Sequence, residues 1–323
     1  MERAGGDLVN GPARGNRGEA WGAVGIPILA AAVIGVALTV GGAGCTTTQT
    51  QEGAGVREPS GVTGGTVEVA ASSTSTGAGA GSEGAMAGDG SAERSVLAPL
   101  EGELVGIAVA GFRDAVVSVP TGATGPRPVV LALHGNFDRP EWQCEVWRGV
   151  TKGRAFVVCP RGIPRPDAPK SLDRWTYGKG TEVRAEVEAA LAAVHARFES
   201  YVASGPILYA GFSLGAIHGV GIVASDGQRY PRAVLVEGGH DGWTAARAKA
   251  YATAGGKRVL FACGQRACKT DAAQARKHLQ REGVETELVY GGEVGHTYDG
   301  PVASEIARVW SWLVADDPRW TDG

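Results

Sequence analysis

The stretch best equipped for chemistry is Gly211-Phe212-Ser213-Leu214-Gly215, a G-x-S-x-G pattern. The apolar run 206–210 precedes it, and small and apolar residues follow. That context describes a strand, a sharp turn and a helix, with the Ser hydroxyl standing clear at the turn. The pattern alone is weak, because 51 of the 323 residues are Gly. Its neighbours must carry the reading. A Ser hydroxyl attacks an acyl carbon only when a base removes its proton, and His is neutral near pH 7 and able to do so. His296, in Gly295-His296-Thr297-Tyr298-Asp299-Gly300, is the downstream His in a loop. His195, His218 and His278 fall on predicted helices and read as packing residues. A carboxylate must orient the base, and backbone N–H groups must meet the developing oxyanion. Leu214, directly after the Ser, offers one such N–H.

These residues need a scaffold, and the hydrophobic pattern supplies one. Runs 104–109 and 115–119 read as an antiparallel pair at a sheet edge. Runs 126–134, 154–160, 206–212, 232–237 and 257–263 are continuously apolar, as in strands buried on both faces. A last strand is expected over 286–290. Val183, Val187, Ala190, Leu191, Val194 and Phe198 recur at helical spacing, with Thr181 as a candidate N-cap. Further helices are expected over 214–224, 271–282 and 302–314. Strands alternating with helices predict an α/β domain around a mostly parallel sheet. Sites in such sheets form at the carboxyl ends of the strands. Trp142, Trp147, Trp175, Tyr177 and Trp243 fall in predicted loops on that side and are candidates to line a pocket.

The first hundred residues differ from the rest and hold no aromatic residue except Trp21. Residues 22–40 are uncharged and apolar, long enough to cross a bilayer, and lead to Gly41-Gly42-Ala43-Gly44-Cys45. Residues 1–45 are therefore expected to be an export signal or a membrane anchor. Small residues followed by Cys resemble a bacterial lipoprotein signal, which implies lipidation at Cys45; the departure is Gly42, where that family usually has Leu. An uncleaved anchor is the alternative. Residues 46–96 are rich in Gly, Ser, Thr and Ala and read as a flexible tether. The folded domain is expected over 97–323. It contains Cys144, Cys159, Cys263 and Cys268, an even set that suits disulfides in an exported protein. Three pairings are open, of which Cys144–Cys159 with Cys263–Cys268 is the simplest. Net charge is −3 from 31 basic and 34 acidic residues, with no basic block, which argues against a nucleic-acid partner. His134, His240, Asp241 and His296 lack close metal-ligand spacing, and no metal is expected.

The order Ser213, acid, His296, together with His134-Gly135-Asn136 and the Gly295-His296 loop before a final helix, resembles the α/β-hydrolase fold. Over about residues 105–318 the chain is most similar to its small esterase branch of carboxylesterases, acyl-protein thioesterases and dienelactone hydrolases. The resemblance implies a serine hydrolase acting on a small acyl substrate through an acyl-enzyme, without a cofactor. It implies an oxyanion hole of Leu214 with Asn136 or Phe137. It places the acid in the loop after the strand ending at Cys263, where Asp271 is the sole carboxylate. Glu237, at the end of the preceding strand, is the alternative, and Asp241 a third choice. A peptidase of the same fold, or a silent lipoprotein that binds a ligand or envelope partner, are the competing readings.

Overall fold

The computed structural model describes residues 104–120 and 122–320. The expected signal or anchor, Cys45 and the tether lie outside the described residues. No helix among the described residues is long and apolar enough to cross a membrane.

The strands are β1 (Leu104–Ile107), β2 (Ala115–Ser118), β3 (Val129–Leu133), β4 (Phe156–Cys159), a short ribbon of β5 (Ile163–Pro164) and β6 (Trp175–Thr176), β7 (Leu208–Phe212), β8 (Arg232–Val236), β9 (Arg258–Cys263) and β10 (Glu285–Tyr290). Eight of them form one sheet in the order β1-β2-β4-β3-β7-β8-β9-β10. β1 pairs antiparallel with β2, and β2 with β4; every other pairing in this sheet is parallel. The continuous apolar runs are explained by burial on both faces. Leu131 and Leu133 of β3 enter one core, while Val130 and Ala132 enter the other.

The helices are α1 (Pro140–Val150), α2 (Gly180–Phe198), α3 (Leu214–Ser225), α4 (Ala245–Thr253), α5 (Arg266–Arg281), α6 (Gly300–Arg308) and α7 (Trp310–Val314). Residues of α2, α3, α4 and α5 share one core with the sheet; those of α1, α6 and α7 share the other. The predicted α/β class with a mostly parallel sheet is the observed one.

Several local expectations change. Helix α2 opens at Gly180, not after Thr181, because Glu182 reaches back to accept the Lys179 N–H at 3.1 Å and caps the chain earlier. The expected final helix 302–314 breaks at Val309 into α6 and α7. Residues 140–150, read as loop, form α1, with Pro140 in its first turn and Trp147 buried beneath it. Helix α5 starts at Arg266, five residues before the expected Asp271. That shift decides the position of the acid.

Candidate active site

Ser213 sits between β7 and α3 with φ 50° and ψ −111°, a region that costs a non-Gly residue free energy. Neighbouring backbone holds it there. The Ser213 N–H donates to the Val236 carbonyl at the end of β8 (2.9 Å), and the Gly215 N–H donates to the His134 carbonyl at the end of β3 (3.1 Å). The contact with β3 needs Gly215, since a Cβ there would stand 2.2 Å from the Leu133 carbonyl oxygen. The result is a Ser hydroxyl raised at the carboxyl edge of the central strands.

His296 enters from the loop between β10 and α6. Its Nε2 lies 2.8 Å from Ser213 Oγ. Its Nδ1 lies 3.2 Å from Glu237 Oε2. A carboxylate accepts only, so the Nδ1–H donates to Glu237 and Nε2 is left free to accept the Ser213 proton. The Phe212 ring packs on the imidazole, with centroids 4.9 Å apart.

Glu237 follows β8 directly and also adopts a positive φ of 50°. Its side chain is 2% exposed, against 48% for His296. Its Oε1 accepts the N–H groups of Gly264 and Gln265, the latter at 2.9 Å. Both carboxylate oxygens are thus committed, one to the turn after β9 and one to His296. Asp271 does not take this place. It lies on the second turn of α5, exposed, with its carboxylate within 4.8 Å of the ligand atoms of His240 and Asp241. The turn between β9 and α5 is only Gly264-Gln265, too short to carry a carboxylate of its own. Asp241 meets the neighbouring His240 ring at 3.0 Å, not His296. Of the expected acids, Asp271 and Asp241 are not brought to His296, and Glu237 is the one that reaches it.

The expected oxyanion donors lie on two segments of the chain. Leu214 is the first residue of α3, so its N–H has no partner within the helix. The turn after β3 contributes Asn136 and Phe137, the latter with φ 62°. Among the described residues, no backbone acceptor meets the N–H of either. The Asn136 side chain is used elsewhere, accepting the Thr176 hydroxyl at 2.8 Å through Oδ1. Asp138, which the sequence reading passed over, organises this turn. One of its oxygens accepts the Gly135 N–H (3.1 Å); the other accepts the Arg139 N–H (2.8 Å) and the Tyr298 hydroxyl (3.1 Å). Tyr298 belongs to the His296 loop, so Asp138 ties the oxyanion turn to the base. Burial, reinforced by Asp138, pushes the Tyr298 phenol up, which keeps its proton in place. The only sequence cue was an Asp just before Arg139-Pro140 and a helix start.

His134 is buried and structural. Its ring stacks on Tyr177 with centroids 4.4 Å apart, and its nitrogens face the carbonyls of Gly135 (2.8 Å) and Arg161 (2.9 Å). Burial holds its pKa below the ordinary value, against the pull of both carbonyls. Behind it, Glu186 of α2 accepts the Gly162 N–H at 2.7 Å.

A cleft of about 590 Å³ opens beside His296, lined by Phe137, Trp142, Val146, Phe212 and Tyr298 among others. Of the expected aromatic candidates only Trp142 lines it. Trp147 and Trp243 are core residues, Tyr177 is buried against His134, and Trp175 lies between the guanidinium groups of Arg113 and Arg161. The four domain cysteines pair as Cys144–Cys159 and Cys263–Cys268.

Ser213 on its strand-to-helix turn, Glu237 after the next strand and His296 in the loop before α6 follow one another in the chain around an eight-stranded, mostly parallel sheet. This is the α/β-hydrolase fold. No protein-family model matches the chain, and no curated protein sequence does. Solved structures with the hydrolase fold are similar to it. A Thermus thermophilus protein, TT1662, shares 17% identity over 68% of this chain and 98% of its own, with a TM-score of 0.46. A dienelactone hydrolase-like promiscuous phosphotriesterase from metagenomic libraries shares 19% identity over 65% of this chain and 92% of its own, TM-score 0.46. A Bacillus cereus carboxylesterase shares 13% over 63% and 95%, TM-score 0.44.

Proposed function

We propose that the protein is a serine hydrolase that cleaves an ester or related acyl bond of a small substrate through an acyl-enzyme. The observation that carries this is the continuous chain from Ser213 Oγ through His296 to Glu237, at 2.8 and 3.2 Å, on a strained elbow. His296 Nε2 takes the Ser213 proton as Oγ attacks the acyl carbon, and returns it to the leaving alcohol. Glu237 keeps the imidazole in the productive tautomer and stabilises the imidazolium. The N–H groups of Leu214 and of Asn136 or Phe137 receive the oxyanion. Water, activated by the same His296, then releases the acid and regenerates Ser213. A silent binding protein has no need of a carboxylate held by two amides behind a His, so Glu237 weighs against that alternative. The two disulfides support action in an oxidising compartment outside the cytoplasm.

The test is covalent labelling by a fluorophosphonate probe together with p-nitrophenyl ester turnover. The native protein is expected to do both and Ser213→Ala neither. Native protein that is folded yet unlabelled would overturn the assignment.

A further inference from the structure

Gly264, the first residue after β9, touches both Glu237 and the loop that carries His296. Its N–H, with that of Gln265, donates to Glu237 Oε1. Its carbonyl accepts the N–H groups of Val294 (2.9 Å) and Gly295 (3.2 Å), the two residues before His296. One peptide turn thus grips the acid with its donors and the loop of the base with its acceptor. A Cβ on Gly264 would lie 2.5 Å from the Gly295 carbonyl oxygen, so the grip is close enough to exclude any other residue.

Gln265, the residue that caps α5, makes no side-chain cap hydrogen bond. Beside these backbone hydrogen bonds, the turn is closed covalently. Cys263, last in β9, is bonded to Cys268 in the first turn of α5, with Cα atoms 5.7 Å apart. Both cysteines are buried, and their sulfurs lie within 4.8 Å of a Glu237 carboxylate oxygen.

We infer that the Cys263–Cys268 disulfide is a positioning element of the catalytic relay: it sets the 264–265 turn that holds both Glu237 and the His296 loop. The inference rests on the hydrolase reading above. It predicts a larger defect in turnover than in substrate binding, because Phe137, Trp142 and Val146 line the cleft from other parts of the chain, beside His296 and Tyr298 of the loop itself.

The test uses the full chain and p-nitrophenyl esters. Cys263→Ala/Cys268→Ala is expected to lower kcat by about 10- to 100-fold with KM within about threefold, the usual range for losing support behind a site residue. In a Glu237→Gln background the same pair of substitutions is expected to cost less than in the native background, because part of their effect passes through that carboxylate and only the part through the His296 loop remains. Cys144→Ala/Cys159→Ala, which opens the other disulfide, is the stability control: it is expected to lower Tm while holding kcat within about twofold. If the 263/268 variant is not recovered folded, Gly264→Ala, which keeps both cysteines, is expected to show the same fall in kcat. Unchanged kcat in the 263/268 variant, or in Gly264→Ala when it stands in, overturns the inference. So do losses that multiply with Glu237→Gln. Native protein that neither labels with fluorophosphonate nor turns over ester overturns instead the hydrolase reading on which it rests.

Discussion

At the scale of single residues, two carboxylates compete for one role, and geometry separates them. Glu237 is nearly sealed from water, shares hydrogen bonds with two amides and faces His296 Nδ1. Asp271 is exposed on a helix. Glu237→Gln is expected to lower kcat on the order of 10³- to 10⁴-fold, because an amide in that position no longer fixes the tautomer or stabilises the imidazolium. Asp271→Asn is expected to stay within about twofold, as surface substitutions do. Steady-state ester hydrolysis by the two variants distinguishes them; a large loss in Asp271→Asn with Glu237→Gln near native would return the acid to Asp271. Gly215 makes a different prediction. Its missing Cβ permits the contact with the Leu133 and His134 carbonyls on which the elbow rests. Gly215→Ala is expected to cost more than about 3 kcal/mol, since backbone cannot yield as a side chain does. Chemical denaturation would show it.

At the scale of elements, the turn after β3 depends on a buried imidazole, and that makes stability depend on pH. His134 has a folded pKa below its ordinary value because of burial. Below about pH 6.5 the unfolded chain therefore binds a proton that the folded chain refuses. Stability from this source is complete above that pH and falls as pH drops towards the lower folded value. His218, half-buried in α3 and also lowered by burial, adds to the same slope. Glu186 acts oppositely: burial raises its pKa, so the cost of ionising it is relieved as pH falls through the folded value. Replacing His134 by Gln removes one titration while leaving a donor for the Arg161 carbonyl. The urea midpoint of the native protein is expected to fall between about pH 7 and pH 5, and that of His134→Gln to fall less steeply. Parallel slopes would mean that His134 does not titrate with unfolding.

The same scale shows what was legible beforehand. β3, β7, β8 and β9 were plain from apolar runs, because strands covered on both faces need continuous apolarity. Ser213 could be read because its turn follows such a strand, and His296 because it lies in a Gly-His loop ahead of the final helix. The start of α5 could not. Arg266, Lys269 and Gln265 give no capping signal, and the first polar residue resembling a helix start is Asp271. The helix begins beside a disulfide that pins it to β9; the Cys263 and Cys268 spacing is visible in the sequence, but not that the helix starts within it. A helix start at Asp271 leaves a longer turn, in which Asp271 is the expected acid. Asp138 was missed for a similar reason: its importance lies in a hydrogen bond to Tyr298, 160 positions away.

At the scale of the whole molecule, chemistry and anchoring occupy opposite ends of the sheet. Glu237 and Ser213 follow the carboxyl ends of β8 and β7, whereas Arg232 and Arg258 stand at the amino ends of β8 and β9. There the two guanidinium groups hold the segment after α7. Both donate to the Ala315 carbonyl at 2.7 Å; Arg258 pairs with Asp316 at 2.9 Å, and Arg232 lies 3.6 Å from Asp317. Asp317 also accepts from Arg319, which in turn donates to the Pro206 carbonyl ahead of β7. Burial pushes the Asp317 carboxyl up, but Arg319 and Arg232 outweigh it and hold the group below the usual carboxylate range. Its contribution is therefore present at neutral pH and lost as pH falls below about 4 towards the lower folded value. Arg232 is 4% exposed, so removing its counter-charge leaves a buried cation unpaired. Asp317→Asn is expected to cost about 3 kcal/mol, the lower end for breaking a buried pair, and to flatten the acid limb of the stability curve. Because the clamp touches nothing at the carboxyl ends of the strands, kcat and KM at 25 °C are expected to stay within about twofold of native. Denaturant titrations from pH 3 to 7, paired with ester turnover at pH 7, check both halves. A matching loss of turnover would show that the two ends of the sheet are coupled.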